Sequence, residues 1–550
     1  HARQKAKGAA APPRWACLLF DVCEIVTHTR KPALWSLCVS TAQRYLASLD
    51  SRRVSLPQDD DAALDLSNDS YTIAAASKAE VYRPLVVDKV ALPDPGTQAV
   101  DLASKLEWPF NILFSDEVLL RCRRTDEELA ALGPSPKGHV AMEKGESYGQ
   151  LLLRLEACGM IKLLTAAEAP PGPTNGLFGV LKGIDRIRLI LDGQPGNHQW
   201  CQVKLQQEYL KIIASDPTRA AAAGLDQRLM PIPDAGDFVE APPGAHSIGE
   251  SDFASYFYTL LQLPLMTGSQ RLPAVSGLDI NRGSITYIPV MQVMSMGSWI
   301  SAQLAQIIHR QVMRRQVDNP LFLVKPEDQS VARRELFASL GSDDFVAIKD
   351  LPQDLINEYD KCGHPGLGKL PQDLQVPRKA FLLEAMPNPS AKEATVEVHT
   401  LCFTAGQQMA FAIEEAKLRR KSTGREQHVA LCSLFIDDNA SLYYGANVTG
   451  GRAADDNWDS TTANLHHLLS IAASAEYGLK QAYDKLKWPD STPGKALGID
   501  YRFMGDGRLE FQVNAKKRQR TSNHLAAIAH SKERYVAEDL LDSVLGNYVW

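Results

Sequence analysis

The clearest hydrophobic pattern in the chain is a short apolar run that ends in two acids. Val429 to Phe435 is almost wholly apolar and is bounded by polar sequence, which predicts a buried strand better than a helix. A second apolar run, Ala440 to Tyr444, starts just after Asp437 and Asp438. The two runs therefore predict a hairpin whose turn carries both carboxylates.

A lone acid, Asp252, stands far upstream, ahead of the aromatic stretch Phe253 to Tyr258. We predict that Asp252 ends a strand and meets Asp437 and Asp438 across two neighbouring strands. Carboxylates gathered in this way repel one another unless cations neutralise them, and Mg²⁺ prefers oxygen ligands. The pattern favours a site for two Mg²⁺ ions, with Mn²⁺ as an alternative. For the Asp-Asp pair alone, a solvated acidic turn is the simpler interpretation.

A helical period lies between these acids. Its apolar positions recur at helical spacing and predict a helix over 300–315; they are Leu304, Ile307, Ile308 and Val312. The helix follows Ser295-Met296-Gly297, where a glycine permits close backbone approach to a ligand. Helix-like spacing also occurs at 331–340 and 407–418.

In chain order, these segments resemble the palm of a reverse transcriptase. Asp252 matches the aspartate of the first palm motif, Ser295-Met296-Gly297 matches the glycine loop, and Phe435-Ile436-Asp437-Asp438 matches the aromatic-x-Asp-Asp box. The hairpin-like stretch 175–197 resembles the fingers. Downstream, 477–485 resembles the last palm helix and Leu497-Gly498-Ile499 the primer-grip turn.

The resemblance implies a role for each matched residue. The metal ligands and catalytic residues would be Asp252, Asp437 and Asp438. The residues that bind substrate would be Lys182, Arg188, Phe253, Phe257, Gly297 and Lys485. Lys182 and Arg188 would grip the incoming triphosphate, the arginine by a bidentate fork.

Phe257 lies five residues after Asp252, where an aromatic ring in reverse transcriptases blocks a ribose 2′-hydroxyl. The resemblance therefore implies a preference for deoxynucleotides. A slip of one residue would select Tyr256 or Tyr258 instead, and simple packing under the palm is an equally good interpretation of any of the three rings.

Three features depart from the family pattern. Met296 stands where glutamine is common, and Gln194 stands where many relatives carry a basic residue. The separation of Asp252 from Asp437 is also long, which indicates an insertion over 318–426.

The predicted fold is α+β, a right-hand polymerase with an antiparallel palm sheet that carries helices on one face. The predicted divisions are an N-terminal extension (1–140), fingers (141–250), palm (251–317), an insertion within the palm (318–426), the rest of the palm (427–500) and a helical thumb (501–550).

Length and composition fit a multi-domain enzyme. The chain has 550 residues, a net charge of −6 and nine cysteines. An odd, scattered set of cysteines argues against a disulfide framework and predicts a reducing intracellular compartment, cytoplasm or nucleus. No apolar segment is long enough to span a membrane. The opening His1 and its Ala/Lys-rich surroundings favour a processed piece or part of a polyprotein.

Three functions stay open at this point. The first is RNA-directed DNA synthesis, with an RNA template, a primer and dNTPs as partners, alongside other subunits or polyprotein-derived modules. The second is an RNA-directed RNA polymerase, because the palm geometry is shared. The third is a catalytically silent scaffold or nucleic-acid-binding subunit that keeps the fold.

Overall fold

The computed structural model describes residues 82–513, apart from 183–184, 224, 226–240, 315–320, 342, 362–365, 387–394, 403–405, 452–455, 498 and 505–507. The first 81 residues of the predicted N-terminal extension lie outside this range, as does the predicted thumb beyond residue 513. Gly498 of the predicted primer-grip turn is also outside the described residues.

The described residues contain both helices and strands, which confirms the α+β class. The strands are β1 (Tyr82–Arg83), β2 (Ile161–Thr165), β3 (Gly176–Lys182), β4 (Arg186–Asp192), β5 (Ala245–Asp252), β6 (Val275–Ser276), β7 (Thr286–Met291), β8 (Leu321–Val324), β9 (Phe345–Ala347), β10 (Gln375–Pro377), β11 (Glu384–Met386), β12 (Val396–Cys402), β13 (Glu426–Phe435), β14 (Asp438–Tyr444), β15 (Lys487–Asp490), β16 (Gly494–Ala496), β17 (Ile499–Phe503) and β18 (Leu509–Val513).

The α-helices are α1 (Leu102–Lys105), α2 (Phe110–Leu113), α3 (Asp116–Arg121), α4 (Asp126–Leu132), α5 (Tyr148–Ala157), α6 (Gln194–Asn197), α7 (Gln202–Ser215), α8 (Pro217–Ala222), α9 (Pro264–Thr267), α10 (Ser301–Arg314), α11 (Val331–Ala338), α12 (Gln353–Lys361), α13 (Gly406–Thr423) and α14 (Asp456–Glu476). Short 3₁₀ helices cover Val87–Lys89, Tyr256–Thr259, Gly268–Gln270, Gly277–Ile280, Pro326–Asp328, Ile348–Asp350, Leu367–Lys369, Arg378–Phe381 and Tyr483–Lys485.

A seven-stranded sheet positions the predicted acids. Its strand order is β11-β8-β12-β13-β14-β5-β15. The predicted hairpin is confirmed as β13 and β14, whose antiparallel register runs from Val429 opposite Tyr444 to Phe435 opposite Asp438. Almost every residue of β13 is buried, as its continuous apolar sequence predicts for a strand covered on both faces.

The sheet differs from the predicted one in two respects. First, β12 and β13 are parallel, so the sheet is mixed and not purely antiparallel. Helix α13 connects these two strands, as a parallel pair requires a crossover connection. Strands β8, β11 and β12, from the segment predicted to be an insertion, therefore extend the same sheet.

Second, helices cover both faces of the sheet. Ile413 of α13 packs in one cluster with Leu431. Met313 of α10 packs in another cluster with Cys432 and Leu434. Because side chains alternate across a strand, odd and even positions of β13 point to opposite faces. The prediction of helices on one face is thus wrong, since the helix supplied by 318–426 covers the second face.

The hairpin predicted over 175–197 is formed by β3 and β4. Its register runs from Gly176 opposite Asp192 to Lys182 opposite Arg186. In β4, Ile187, Leu189 and Leu191 are buried whereas Arg186 and Arg188 are exposed. This alternation leaves the arginines at the surface while the apolar side chains join the core.

The helix predicted over 300–315 is observed as α10. The helix predicted near 477 lies earlier in the chain and ends at Glu476, just before Gly478, which has φ +90°. Among the described residues, no helix combines the length and the apolar composition that crossing a membrane requires.

Candidate active site

Three carboxylates converge at the end of the central sheet. Asp438, the first residue of β14, lies directly opposite Asp252, the last residue of β5. Asp437 occupies the hairpin turn, and its carbonyl oxygen accepts a hydrogen bond of 3.1 Å from the Phe253 amide. One carboxylate oxygen from each of the three acids lies within 4.8 Å of the others. The structure therefore brings together the three acids selected from the sequence.

Burial and mutual repulsion make this cluster costly in the absence of a cation. Burial, and then the charge of Asp252, raise the pKa of Asp437 to about 6. Burial, and then the charges of Asp437 and Asp252, raise the pKa of Asp438 to about 7. Both shifts have the sign expected of carboxylates that lack counter-charge.

Lys485 provides part of the missing counter-charge. Its ammonium group forms an ion pair with Oδ2 of the buried Asp252. Although partial burial lowers the pKa of Lys485, the hydrogen bond and the charge of Asp252 raise it overall. The other oxygen of Asp252, Oδ1, is buried and has no hydrogen-bond partner among the described residues. A buried carboxylate oxygen without a partner is costly, so it is a natural ligand for a cation.

The donor set fits Mg²⁺. Three carboxylates offer only oxygen atoms, and Mg²⁺ binds through few carboxylates while keeping several waters. The Oδ1 atom of Asp252 adds a ligand atom that no donor in the described part of the chain claims. Asp252, Asp437 and Asp438 would hold the ions.

The β3–β4 hairpin brings two further cations towards the cluster. Lys182 ends β3, and Arg188 lies in β4 opposite Val180. Burial lowers the pKa of Lys182, the nearby Arg188 and Lys485 lower it further, and the charges of Asp252 and Asp437 oppose the change. The charge of Arg188 in turn offsets part of the rise in the pKa of Asp437. Both basic residues are therefore close enough to the acids to share one electrostatic field.

The aromatic residues after Asp252 lie in the core beside the site. Phe253 is 3% exposed, and its ring packs against the rings of Tyr256 and His309. The Tyr256 hydroxyl donates to the Ala305 carbonyl at 2.9 Å. The Tyr258 hydroxyl donates to the Leu189 carbonyl at 2.6 Å. The phenol groups of both tyrosines are thus anchored by backbone carbonyls, whereas Phe257 carries no hydroxyl that could be anchored in this way.

Gly297 lies against the β3–β4 hairpin. Its φ is +105°, and a Cβ atom there would lie 2.0 Å from the Leu191 carbonyl oxygen. The Leu191 amide donates to the Met296 carbonyl at 2.8 Å. The close backbone approach predicted at this glycine is therefore to strand β4, and its role in substrate binding stays a prediction.

Sequence reasoning missed two residues beside the turn, Gln306 and His309 of α10. Both side chains are buried and contact the backbone of the hairpin. They stand three residues apart among the apolar positions of the helix. Polar side chains at buried helical positions need hydrogen-bond partners. A glutamine and a histidine among the apolar positions of the predicted helix therefore indicate a polar contact at this place.

The first prediction concerns metal binding and pH. Mg²⁺ is expected to raise the thermal midpoint more at about pH 8 than at about pH 6, because protonated Asp437 and Asp438 must lose protons to bind it. The folded-state pKa values are raised from the ordinary 3.8, so in metal-free protein these acids cost increasing stability as the pH rises from about 4 through about 6 to 7. Bound Mg²⁺ removes that cost. Thermal denaturation with EDTA or excess Mg²⁺ measures both effects.

The control for this prediction is the double variant Asp437→Asn/Asp438→Asn. It should show neither the Mg²⁺ response nor its pH dependence. An equal Mg²⁺ shift at both pH values in the parent protein would contradict the assignment of the raised pKa values to the metal ligands.

Comparisons with known proteins add little to this geometry. No protein-family model matches the chain, and no curated protein matches it significantly. The foamy viral protease-reverse transcriptase dRH in complex with ds DNA is similar at a TM-score of 0.33 and 9% identity, over 83% of this chain and 54% of that one. The foamy viral protease-reverse transcriptase in complex with dsDNA is similar at a TM-score of 0.28 and 9% identity, over 80% of this chain and 62% of that one. The Prototype Foamy Virus Protease-Reverse Transcriptase CSH mutant is similar at a TM-score of 0.26 and 8% identity, over 81% of this chain and 36% of that one.

The chain covers less than two thirds of the length of each of these structures. TM-scores this low do not support a conclusion about activity. The similarity is weak, and the functional interpretation rests on the arrangement of the side chains described above.

Proposed function

We propose that this chain is a template-directed nucleotidyltransferase, and specifically an RNA-directed DNA polymerase. The observation that carries the proposal is the register of β5 and β14, which sets Asp252 opposite Asp438 with Asp437 in the adjoining turn. In this proposal the central sheet is the palm of a right-hand polymerase, and the β3–β4 hairpin belongs to the fingers.

In the proposed reaction, the acidic residues bind metal and the basic residues bind phosphate. Phosphoryl transfer needs positioning and charge neutralisation more than covalent chemistry. Asp252, Asp437 and Asp438 would hold Mg²⁺, which would supply positive charge where negative charge develops during the transfer. Arg188 offers two parallel donors to a phosphate, and Lys182 offers a point charge. An RNA template, a primer and dNTPs are the proposed partners.

The unpartnered oxygen of Asp252 favours an active enzyme over a silent scaffold. A scaffold would gain stability by replacing a buried carboxylate cluster with neutral side chains. The described residues instead keep three acids together with one buried oxygen unsatisfied. Such local instability is typical of binding and catalytic sites.

Primer extension tests the proposed function. The purified chain is incubated with Mg²⁺ and an RNA template annealed to a primer, with either dNTPs or ribonucleotides. Extension with dNTPs is expected. Extension with ribonucleotides alone would indicate an RNA polymerase. Folded protein that binds template-primer without extending it would overturn the enzymatic proposal.

Phe257 is the proposed determinant of sugar choice. Phe257→Val is expected to raise the use of ribonucleotides relative to deoxynucleotides by at least about tenfold, or about 1.4 kcal/mol, because the smaller side chain leaves room for a 2′-hydroxyl. Single-nucleotide incorporation rates with dNTP and NTP measure the ratio. Tyr258→Phe, which removes only the hydroxyl bound to Leu189, is the control. An unchanged ratio in Phe257→Val would mean that this ring only packs in the core.

A further inference from the structure

The turn that carries Asp437 contains an unfavourable backbone conformation. Ile436 has φ +57°, in the left-handed region. A β-branched residue rarely adopts that region, because its Cβ substituents crowd the neighbouring carbonyl. Ile436 immediately precedes Asp437, so its conformation fixes the direction in which the carboxylate leaves the turn. Something in the structure must hold Ile436 in place.

Gln306 of helix α10 binds the backbone of this turn and of the strand before it. The Gln306 side chain donates through Nε2 to the Leu434 carbonyl at 2.8 Å. Its Oε1 accepts from the Ile436 amide at 2.6 Å. Gln306 is 0% exposed, so water does not compete for these two bonds. The side chain thus bridges the last residues of β13 and the turn.

His309, one helical turn further along α10, binds the other side of the same residue. Its Nδ1 lies 2.9 Å from the Ile436 carbonyl oxygen. Because a carbonyl only accepts, Nδ1 must carry the proton and donate it. The amide and the carbonyl of Ile436 are therefore both bound by side chains of α10.

The imidazole packs against Phe253, the residue that follows strand β5 and its acid Asp252. The Phe253 ring lies 4.5 Å from the His309 ring, centroid to centroid. Phe253 directly follows Asp252, and its amide donates to the Asp437 carbonyl at 3.1 Å. The helix, the turn and the end of β5 thus form one continuous set of contacts around the acids.

We propose that Gln306 and His309 are positioning residues that keep Ile436 left-handed, so that Asp437 and Asp438 face Asp252 before metal binds. The proposal rests on the proposed function, because it treats the three acids as the metal site. Preorganised ligands bind a cation without the cost of ordering the turn. We call the hydrogen bonds of Gln306 and His309 to the hairpin the clamp. Loss of the clamp therefore weakens metal binding, whereas a purely structural role of these residues would lower the stability of the protein alone.

Gln306→Met tests the clamp, since it keeps the length of the side chain and removes both hydrogen bonds. The dissociation constant for Mn²⁺, measured by electron paramagnetic resonance on the full chain, is expected to rise about tenfold. The Mg²⁺ concentration for half-maximal extension should rise in parallel, with KM for template-primer unchanged. Gln303→Met is the matched control, because the buried Oε1 of Gln303 accepts no hydrogen bond from the described residues.

Two further variants separate positioning from stability. Adding Ile436→Gly to Gln306→Met should restore much of the Mn²⁺ affinity, because glycine adopts positive φ without strain. His309→Asn, which keeps a donor near the position of Nδ1, should bind Mn²⁺ more tightly than His309→Leu. Affinity in Gln306→Met equal to that of the parent would overturn the proposal.

The two proposals can fail separately. If the parent binds Mn²⁺ and Gln306→Met weakens binding, but the parent extends no primer, the clamp stands and the polymerase proposal falls. If the parent extends primers and Gln306→Met leaves metal affinity unchanged, the polymerase proposal stands and the clamp falls.

Discussion

Asp437→Asn is expected to reduce primer extension by at least about a thousandfold, equivalent to about 4 kcal/mol of transition-state stabilisation. The amide has nearly the same size as the carboxylate, but it carries no charge to hold a divalent cation. Asp437 is placed in the hairpin turn, beside Asp252 and Asp438. Removing it therefore leaves two of the three acids in the proposed metal site, and single-turnover extension measures the loss.

The same substitution should stabilise the protein when metal is removed. Burial and the charge of Asp252 raise the pKa of Asp437, which means that its charged form is disfavoured in the folded state. Replacing it with a neutral amide relieves that cost. In EDTA at about pH 8 the thermal midpoint of Asp437→Asn should exceed that of the parent, and excess Mg²⁺ should no longer raise it.

Asp373→Asn is a suitable control for both measurements. Asp373 is exposed and pairs with Lys349, far along the chain from the three acids. Its loss should leave extension and the Mg²⁺ response unchanged. Extension by Asp437→Asn above about a hundredth of the parent rate would place the chemistry elsewhere. A lower thermal midpoint in EDTA would instead indicate that Asp437 stabilises the turn.

The hairpin and its acids could be predicted from the sequence because the signal is local. An apolar run, a pair of turn residues and a second apolar run specify two antiparallel strands within 16 residues, Val429–Tyr444. The β3–β4 hairpin, in contrast, is expected only from the resemblance of 175–197 to the fingers of reverse transcriptases. Short-range pairing requires only the strand period and turn chemistry, both of which can be read from neighbouring residues.

The parallel pairing of β12 with β13 could not be read in this way. The sequence of each strand does not indicate which strand it pairs with. The sequence of the connecting helix α13 predicts a helix but not the side of the sheet on which it packs. The ion pair of Lys485 with Asp252 could not be predicted either, because it joins residues 233 positions apart. Non-local contacts depend on how the layers pack, and the period of a single segment does not specify that packing.

Gly297 illustrates how the structure changes an interpretation drawn from sequence. Its place before α10 suggested close approach to a ligand, whereas the structure sets it against the backbone of β4. The partners are reciprocal, because a Cβ atom at Gly193 would lie 2.6 Å from the Gly297 carbonyl oxygen. Asn197 adds a donor at 2.9 Å to that same carbonyl. The glycine therefore joins the β3–β4 hairpin to the segment that leads into α10.

Gly297→Ala is accordingly expected to destabilise the protein by more than about 3 kcal/mol. Two costs add: the new Cβ would lie 2.0 Å from the Leu191 carbonyl oxygen, and φ is +105°, which alanine rarely adopts. Because β4 carries Arg188, the displaced hairpin should also raise KM for dNTP. Denaturant unfolding in EDTA measures the free energy of unfolding, and steady-state extension measures KM.

Two further alanine substitutions separate the costs. Gly159 has φ +70°, and a Cβ atom there would meet no atom of the described residues within 4 Å, so Gly159→Ala should show the backbone strain alone, about 1 kcal/mol. Gly193 has φ −82°, so Gly193→Ala should show the steric contact without left-handed strain. The loss in the free energy of unfolding should be larger in Gly297→Ala than in either of these variants. An unchanged free energy of unfolding together with a raised KM would instead support the ligand-approach interpretation, because only bound nucleotide would then meet the added methyl group.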